Sequence, residues 1–134
     1  MTDAEYAEQK ARVERYTERW LGPLGLADNW HVQVCWHREK AEQEKGDARP
    51  AMMEAEVRWQ YADATIHVYL PSVFEVEDDA VLEKIVVHEY QHILLNELRS
   101  TGKSMGAEYL AHEEHAATML AMAFLRTAEM RNVG

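Results

Sequence analysis

The chain has 134 residues, is 47% hydrophobic and 28% charged, and carries a net charge of −10 with a single cysteine. That length and balance describe one globular domain over 1–134 and exclude a disordered chain. The acidity argues against a polyanionic partner such as nucleic acid, the lone thiol excludes an internal disulfide, and no apolar run is long enough to span a bilayer.

The N-terminal segment reads as a helix. Thr2-Asp3-Ala4-Glu5 matches a capping box, in which the hydroxyl and the carboxylate satisfy the first free backbone N–H groups. Tyr6, Val13, Tyr16 and Trp20 recur at helical intervals and form a core stripe, and Gly22-Pro23 stops the helix. The segment lacks the apolar stretch of a signal peptide, so export by that route is not expected, and the absence of disulfides fits the expectation of a cytoplasmic protein.

Asp28-Asn29 is turn chemistry. Trp30, Val32, Val34 and Trp36 then alternate with His31, Gln33 and Cys35, the period of a strand, and Cys35 reads as a small half-buried residue. The charged run 37–50 reads as a loop, with room for a short helix around Glu39–Lys45. Residues 52–60 alternate again, and 64–70, ATIHVYL, form a third strand ended by Pro71. Consecutive, closely connected strands predict a mainly antiparallel meander.

From Asp78, a good N-cap, the period becomes helical. Val81, Leu82, Ile85, Val86, Ile93, Leu94 and Leu95 make this helix strongly apolar and central, with Gly102 as its C-cap. A short linker leads to a last helix over Glu108–Arg131, with Leu110, Ala117, Leu120, Ala121, Phe124 and Leu125 inward. The order helix, three strands, two helices is an α+β fold.

The central helix carries His88-Glu89-Tyr90-Gln91-His92, an H-E-x-x-H spacing. Residues four apart share a helix face, so both imidazoles can hold one metal ion. Glu89 then lies beside the ion, where it can take a proton from an attacking water. A hydrolytic zinc site needs a third protein ligand. The next helix offers His112, Glu113, Glu114 and His115, opposite the motif if the helices are antiparallel. Glu113 and Glu114 point about 100° apart, so one of them faces the ion. Glu114 is preferred, because Thr118 one turn on can hydrogen-bond a histidine ligand from behind. Glu113, His112 and His115 stay as alternatives.

VVHEYQH, followed by a glutamate on the next helix, resembles the gluzincin zinc metallopeptidases. The small size and the element order are similar to their minimal single-domain members, the minigluzincins, and to short metallopeptidase-like proteins of phages and bacteria. The resemblance covers most of the chain in layout and is motif-specific at 86–95 and 113–118. It implies a zincin-like fold with the metal site on the two C-terminal helices, Zn2+ held by His88, His92 and Glu114, and Glu89 as general base and proton shuttle. Thr118 stands where the family often has an acidic residue, and the metzincin extension after His92 is absent. The implied activity is peptide-bond hydrolysis in a peptide or protein substrate, which would pair with the sheet's edge strand. That strand is expected to be ATIHVYL, in which His67 and Tyr69 alternate with Ile66 and Val68 and one of the two sets rims the cleft. Tyr109, His112 and His115 are candidates to stabilise the oxyanion. The rival readings are a zinc-binding regulatory or phage accessory protein without turnover, and a metal-free helical scaffold.

Overall fold

The computed structural model describes residues 1–42, 50–102 and 106–133. Helix α1 spans Asp3–Leu21, and its start is the expected capping box: Thr2 Oγ1 accepts from the Glu5 amide at 3.0 Å, and Glu5 accepts from the Thr2 amide at 2.8 Å. Val13, Tyr16 and Trp20 are buried along one stripe. A short helix, α2 (Leu26–Asn29), occupies the stretch read as a turn. Gly25, at φ 73°, makes the left-handed step into it, a conformation that disfavours any residue with a Cβ.

Three strands follow: β1 (His31–His37), β2 (Met53–Arg58) and β3 (Asp63–Tyr69). The sheet order is β1-β3-β2, with β2 antiparallel and β1 parallel to β3. The expected mainly antiparallel meander is therefore corrected to a mixed sheet. A single tight turn at Trp59–Tyr61, closed by Ala62 at φ 50°, folds β3 back on β2 and fixes that pair as antiparallel. The connection over 38–52 instead carries the chain from one sheet edge to the other, so β1 and β3 run the same way. Within this connection residues 39–42 are not helical, and the rest of the helix expected around Glu39–Lys45 lies outside the described residues.

Pro71 does more than end β3. It sits in the first turn of a short helix, α3 (Leu70–Phe74), where its missing N–H costs nothing. Helix α4 spans Asp79–Gly102, and Asp78 caps it by accepting from the Ala80 amide at 2.9 Å. Helix α5 spans Ala107–Val133.

The core fills the space between one sheet face and the helices. Ala64, Ile66 and Val68 of β3 meet Leu82, Val86, Val87, Tyr90 and Ile93 of α4 and the α1 stripe. Fully burying each Ile, Val or Leu side chain is worth about 1.5–3 kcal/mol. The inward stripes were drawn too wide in the sequence. Val81 and Leu94 of α4 and Leu120 of α5 are exposed, because the elements packed against each helix cover only part of its circumference. Several polar contacts tie α4 to α1. Tyr90 Oη donates to the Thr17 carbonyl at 2.7 Å, and Arg12 holds Asp79 Oδ1 at 2.7 Å. Among the described residues no helix is long and apolar enough to cross a membrane.

Candidate metal centre

His88 and His92 lie one turn apart on α4, as the spacing requires. Helix α5 runs antiparallel beside them: Tyr109 meets Leu98, Glu113 meets His92 and Thr118 meets His88. Glu114 is brought to both histidines. Its Oε1 is 2.7 Å from His88 Nε2, and its Oε2 is 3.1 Å from His92 Nε2. The two Nε2 atoms are 3.1 Å apart. Ligands bonded to a tetrahedral ion at ~2.0–2.1 Å stand about 3.3 Å from one another, so the two Nε2 atoms and one oxygen of Glu114 would have to move apart by up to about 0.6 Å to hold one.

Glu113, the rival for the third ligand, faces the far side of the same ring. Its Oε1 accepts from His92 Nδ1 at 2.8 Å, and its side chain is only 5% exposed. An ionised carboxylate cannot donate, so in the neutral ring this bond puts the proton of His92 on Nδ1 and leaves Nε2 as a lone pair. That lone pair faces Glu114 Oε2, which is also an acceptor. His88 Nε2 can donate a proton to either His92 Nε2 or Glu114 Oε1; a cation would satisfy all of these acceptors together, and two imidazole nitrogens with a carboxylate are a donor set that fits a metal ion. Thr118 Oγ1 lies 3.3 Å from His88 Nδ1, the supporting contact expected of it. A hydroxyl can either give or take a proton, so Thr118 orients His88 without fixing its tautomer. Burial holds the His88 imidazole below its ordinary pKa, against the opposing pull of Glu114. Its neutral form, the one that ligates, is favoured accordingly.

Glu89 is half-buried, and a carboxylate oxygen of it lies within 4.8 Å of a ring nitrogen of both His88 and His92. It lines a cleft of about 420 Å³ with His92, Asn96 and Glu114 on one side and Met53, Glu54, Ala55 and Val57 of β2 on the other. A neighbouring cleft of about 530 Å³ takes in His88, Glu89 and Thr118 with Met52 and Met53. A smaller apolar hollow beside Trp20, Pro23 and Phe124 lies away from these residues and contains no imidazole or carboxylate.

Two expectations are corrected here. The strand beside the cleft is β2, whereas ATIHVYL is the central strand, paired on both sides. His67 and Tyr69 point to the opposite sheet face from the buried Ile66 and Val68, so neither borders the cleft. The three oxyanion candidates also lie elsewhere. Tyr109 Oη donates to the Leu98 carbonyl at 2.6 Å, Tyr109 and His112 flank a separate hollow near Leu95 and Leu98, and the exposed His115 lines neither cleft. The supporting role of Glu113 was not read from the sequence. Its signal was the adjacency itself: if Glu114 meets the Nε2 atoms, its neighbour at about 100° can reach round to Nδ1. The β2 wall of Glu54 and Ala55 had no local signal, because it depends on the strand order. No family model, curated protein or solved structure matches this chain.

Proposed function

We propose that the protein is a zinc-dependent peptidase of gluzincin type, with His88, His92 and Glu114 as metal ligands and Glu89 as general base. The observation that carries the reading is the convergence of His88 Nε2, His92 Nε2 and the Glu114 carboxylate at 2.7–3.1 Å. Glu89 on the wall of the adjoining cleft supports the hydrolytic form of the reading.

A bound zinc ion supplies positive charge that polarises a carbonyl and lowers the pKa of water to ~7. The chain's own groups do the rest. Glu113 holds His92 in the tautomer that presents Nε2, and Thr118 steadies His88. Glu89 takes a proton from the attacking water and delivers it to the leaving amine nitrogen, so one carboxylate serves as base and then as acid. β2 is an edge strand, and an extended peptide adding to it would run along the cleft beside Glu89. The substrate is therefore an extended peptide segment, and the sheet edge that receives it is β2.

The test is cleavage of a degenerate peptide library by zinc-loaded wild type and by Glu89→Gln, with zinc content measured in both. The expected result is cleavage by wild type and at least a hundredfold loss in the variant, with zinc retained. Zinc retained without cleavage by wild type would instead favour the binding or regulatory reading of the same site.

A further inference from the structure

The sheet face turned away from the helices carries a second cluster. Along β1, Cys35 and His37 alternate with the core-facing Val34 and Trp36. Along β3, His67 and Tyr69 alternate with the buried Ile66 and Val68. The parallel register sets Cys35 opposite His67 and His37 opposite Tyr69. Cys35 Sγ and one ring nitrogen from each of His37 and His67 lie within 4.8 Å of one another.

The hydrogen bonds around these atoms say which lone pairs are presented. His67 Nε2 bonds Glu56 Oε2 at 2.9 Å, and a carboxylate only accepts, so that nitrogen carries the proton. In the neutral ring His67 Nδ1 is then a bare lone pair, and it faces His37 Nε2 at 2.9 Å. The His37 ring is held in turn. It stacks on Tyr69 with centroids 4.7 Å apart, and Tyr69 Oη donates to Glu54 Oε2 at 3.1 Å. Glu56 thus stands behind His67 as Glu113 stands behind His92: a carboxylate on the far nitrogen that aims the near one. Polar side chains on an outer sheet face can be satisfied by water alone. Here they are tied to each other and set two imidazoles and a thiol around one point.

We propose that Cys35, His37 and His67 form a second metal site, which takes a thiophilic divalent ion of the Zn2+ class and leaves a coordination position for solvent. A sulfur and two imidazole nitrogens suit zinc, cobalt or copper and are poor ligands for calcium or magnesium. The ligands come from two adjacent strands, so the ion ties β1 to β3 directly. The His37–His67 bond opens by a few tenths of an ångström to admit it, the proton on His37 Nε2 passes by way of solvent to Nδ1 of the same ring, and the thiol proton is released. The site shares no residue with His88, His92 and Glu114 and does not rest on the peptidase reading.

The chain has one cysteine, which makes the test specific. Cobalt(II) chloride is titrated into the full-length reduced protein, and the thiolate-to-cobalt charge-transfer band is followed in the near ultraviolet. The expected result is a band that saturates within two equivalents of cobalt per chain in wild type and at one equivalent in His88→Ala, where one equivalent of zinc bleaches it. Cys35→Ser, nearly isosteric, should abolish the band with the far-ultraviolet circular dichroism unchanged. His67→Gln should weaken cobalt binding at least tenfold. No band in wild type at millimolar cobalt would overturn the proposal, whatever the variants do. So would a band of undiminished affinity in both His37→Ala and His67→Gln, since the thiolate would then bind metal without these imidazoles. A band lost in His88→Ala but kept in His67→Gln would also overturn it.

Discussion

Replacing Glu113 by glutamine probes the carboxylate behind His92 without changing the shape of the side chain. The bond to His92 Nδ1 is 2.8 Å long, with the two side chains 10% and 5% exposed. A hydrogen bond to a charged acceptor contributes about 1.5–3 kcal/mol where a neutral one contributes about 0.5–1.5 kcal/mol, so the exchange itself costs about 1 kcal/mol. Loss of a negative charge one imidazole away from the ion adds a comparable amount. Together these predict zinc affinity reduced about 10–100-fold, or about 1.4–2.7 kcal/mol. Thr118→Val removes a longer bond of 3.3 Å from a neutral group and should cost less than tenfold. Glu114→Gln removes a ligand and should cost more than either. The assay is competition with a chromophoric zinc chelator in a Cys35→Ser background, which silences the outer-face site. Affinity within twofold of the parent in Glu113→Gln would refute the orienting role. A loss larger in Glu113→Gln than in Glu114→Gln would reverse the ligand assignment.

Three further outcomes follow from the packing and the charges. Tyr90→Phe deletes the buried bond to the Thr17 carbonyl and should lower the unfolding free energy by about 1 kcal/mol in urea, with zinc affinity unchanged. Asp79 has its pKa lowered from 3.8, chiefly by the Arg12 hydrogen bond, so the folded state favours the ionised form. Its contribution is therefore complete above that value and is lost as the pH falls through the lower folded value. Arg12→Ala should flatten this acid limb of the stability curve. At neutral pH it should cost about 1–3 kcal/mol, a range held down because the Asp79 side chain is 39% exposed. In the Cys35→Ser background, zinc at about a hundred times Kd should stabilise the folded protein by about 2.7 kcal/mol, and a chelator should reverse the shift in Tm.

The parts of the fold legible in the sequence are those set by residues close together in the chain. The Thr2–Glu5 box, the Asp78 cap, the alternation in each strand and the four-residue interval of His88 and His92 are all local. The preference for Glu114 rested on Thr118, and the two contact the same histidine in the structure. Strand order was not legible, because the connection over 38–52 can lead to either edge and nothing in its composition chooses. That one unknown misplaced the edge strand and with it His67. The outer-face cluster was hidden for the same reason. Cys35 and His37 share a face by strand alternation, but only the parallel register of β1 on β3 adds His67. The width of the apolar stripes misled as well: Val81, Leu94 and Leu120 fit the helical period, yet exposure depends on which neighbours cover the helix.

The central claim is that His88, His92 and Glu114 hold one zinc ion. Its most direct test is zinc content by elemental analysis of Cys35→Ser protein, purified without a metal-affinity tag and incubated with zinc, beside the same protein carrying His88→Ala. The account predicts one zinc per chain in the first and none in the second. No zinc in the first, with native circular dichroism, would contradict it, as would equal zinc in both.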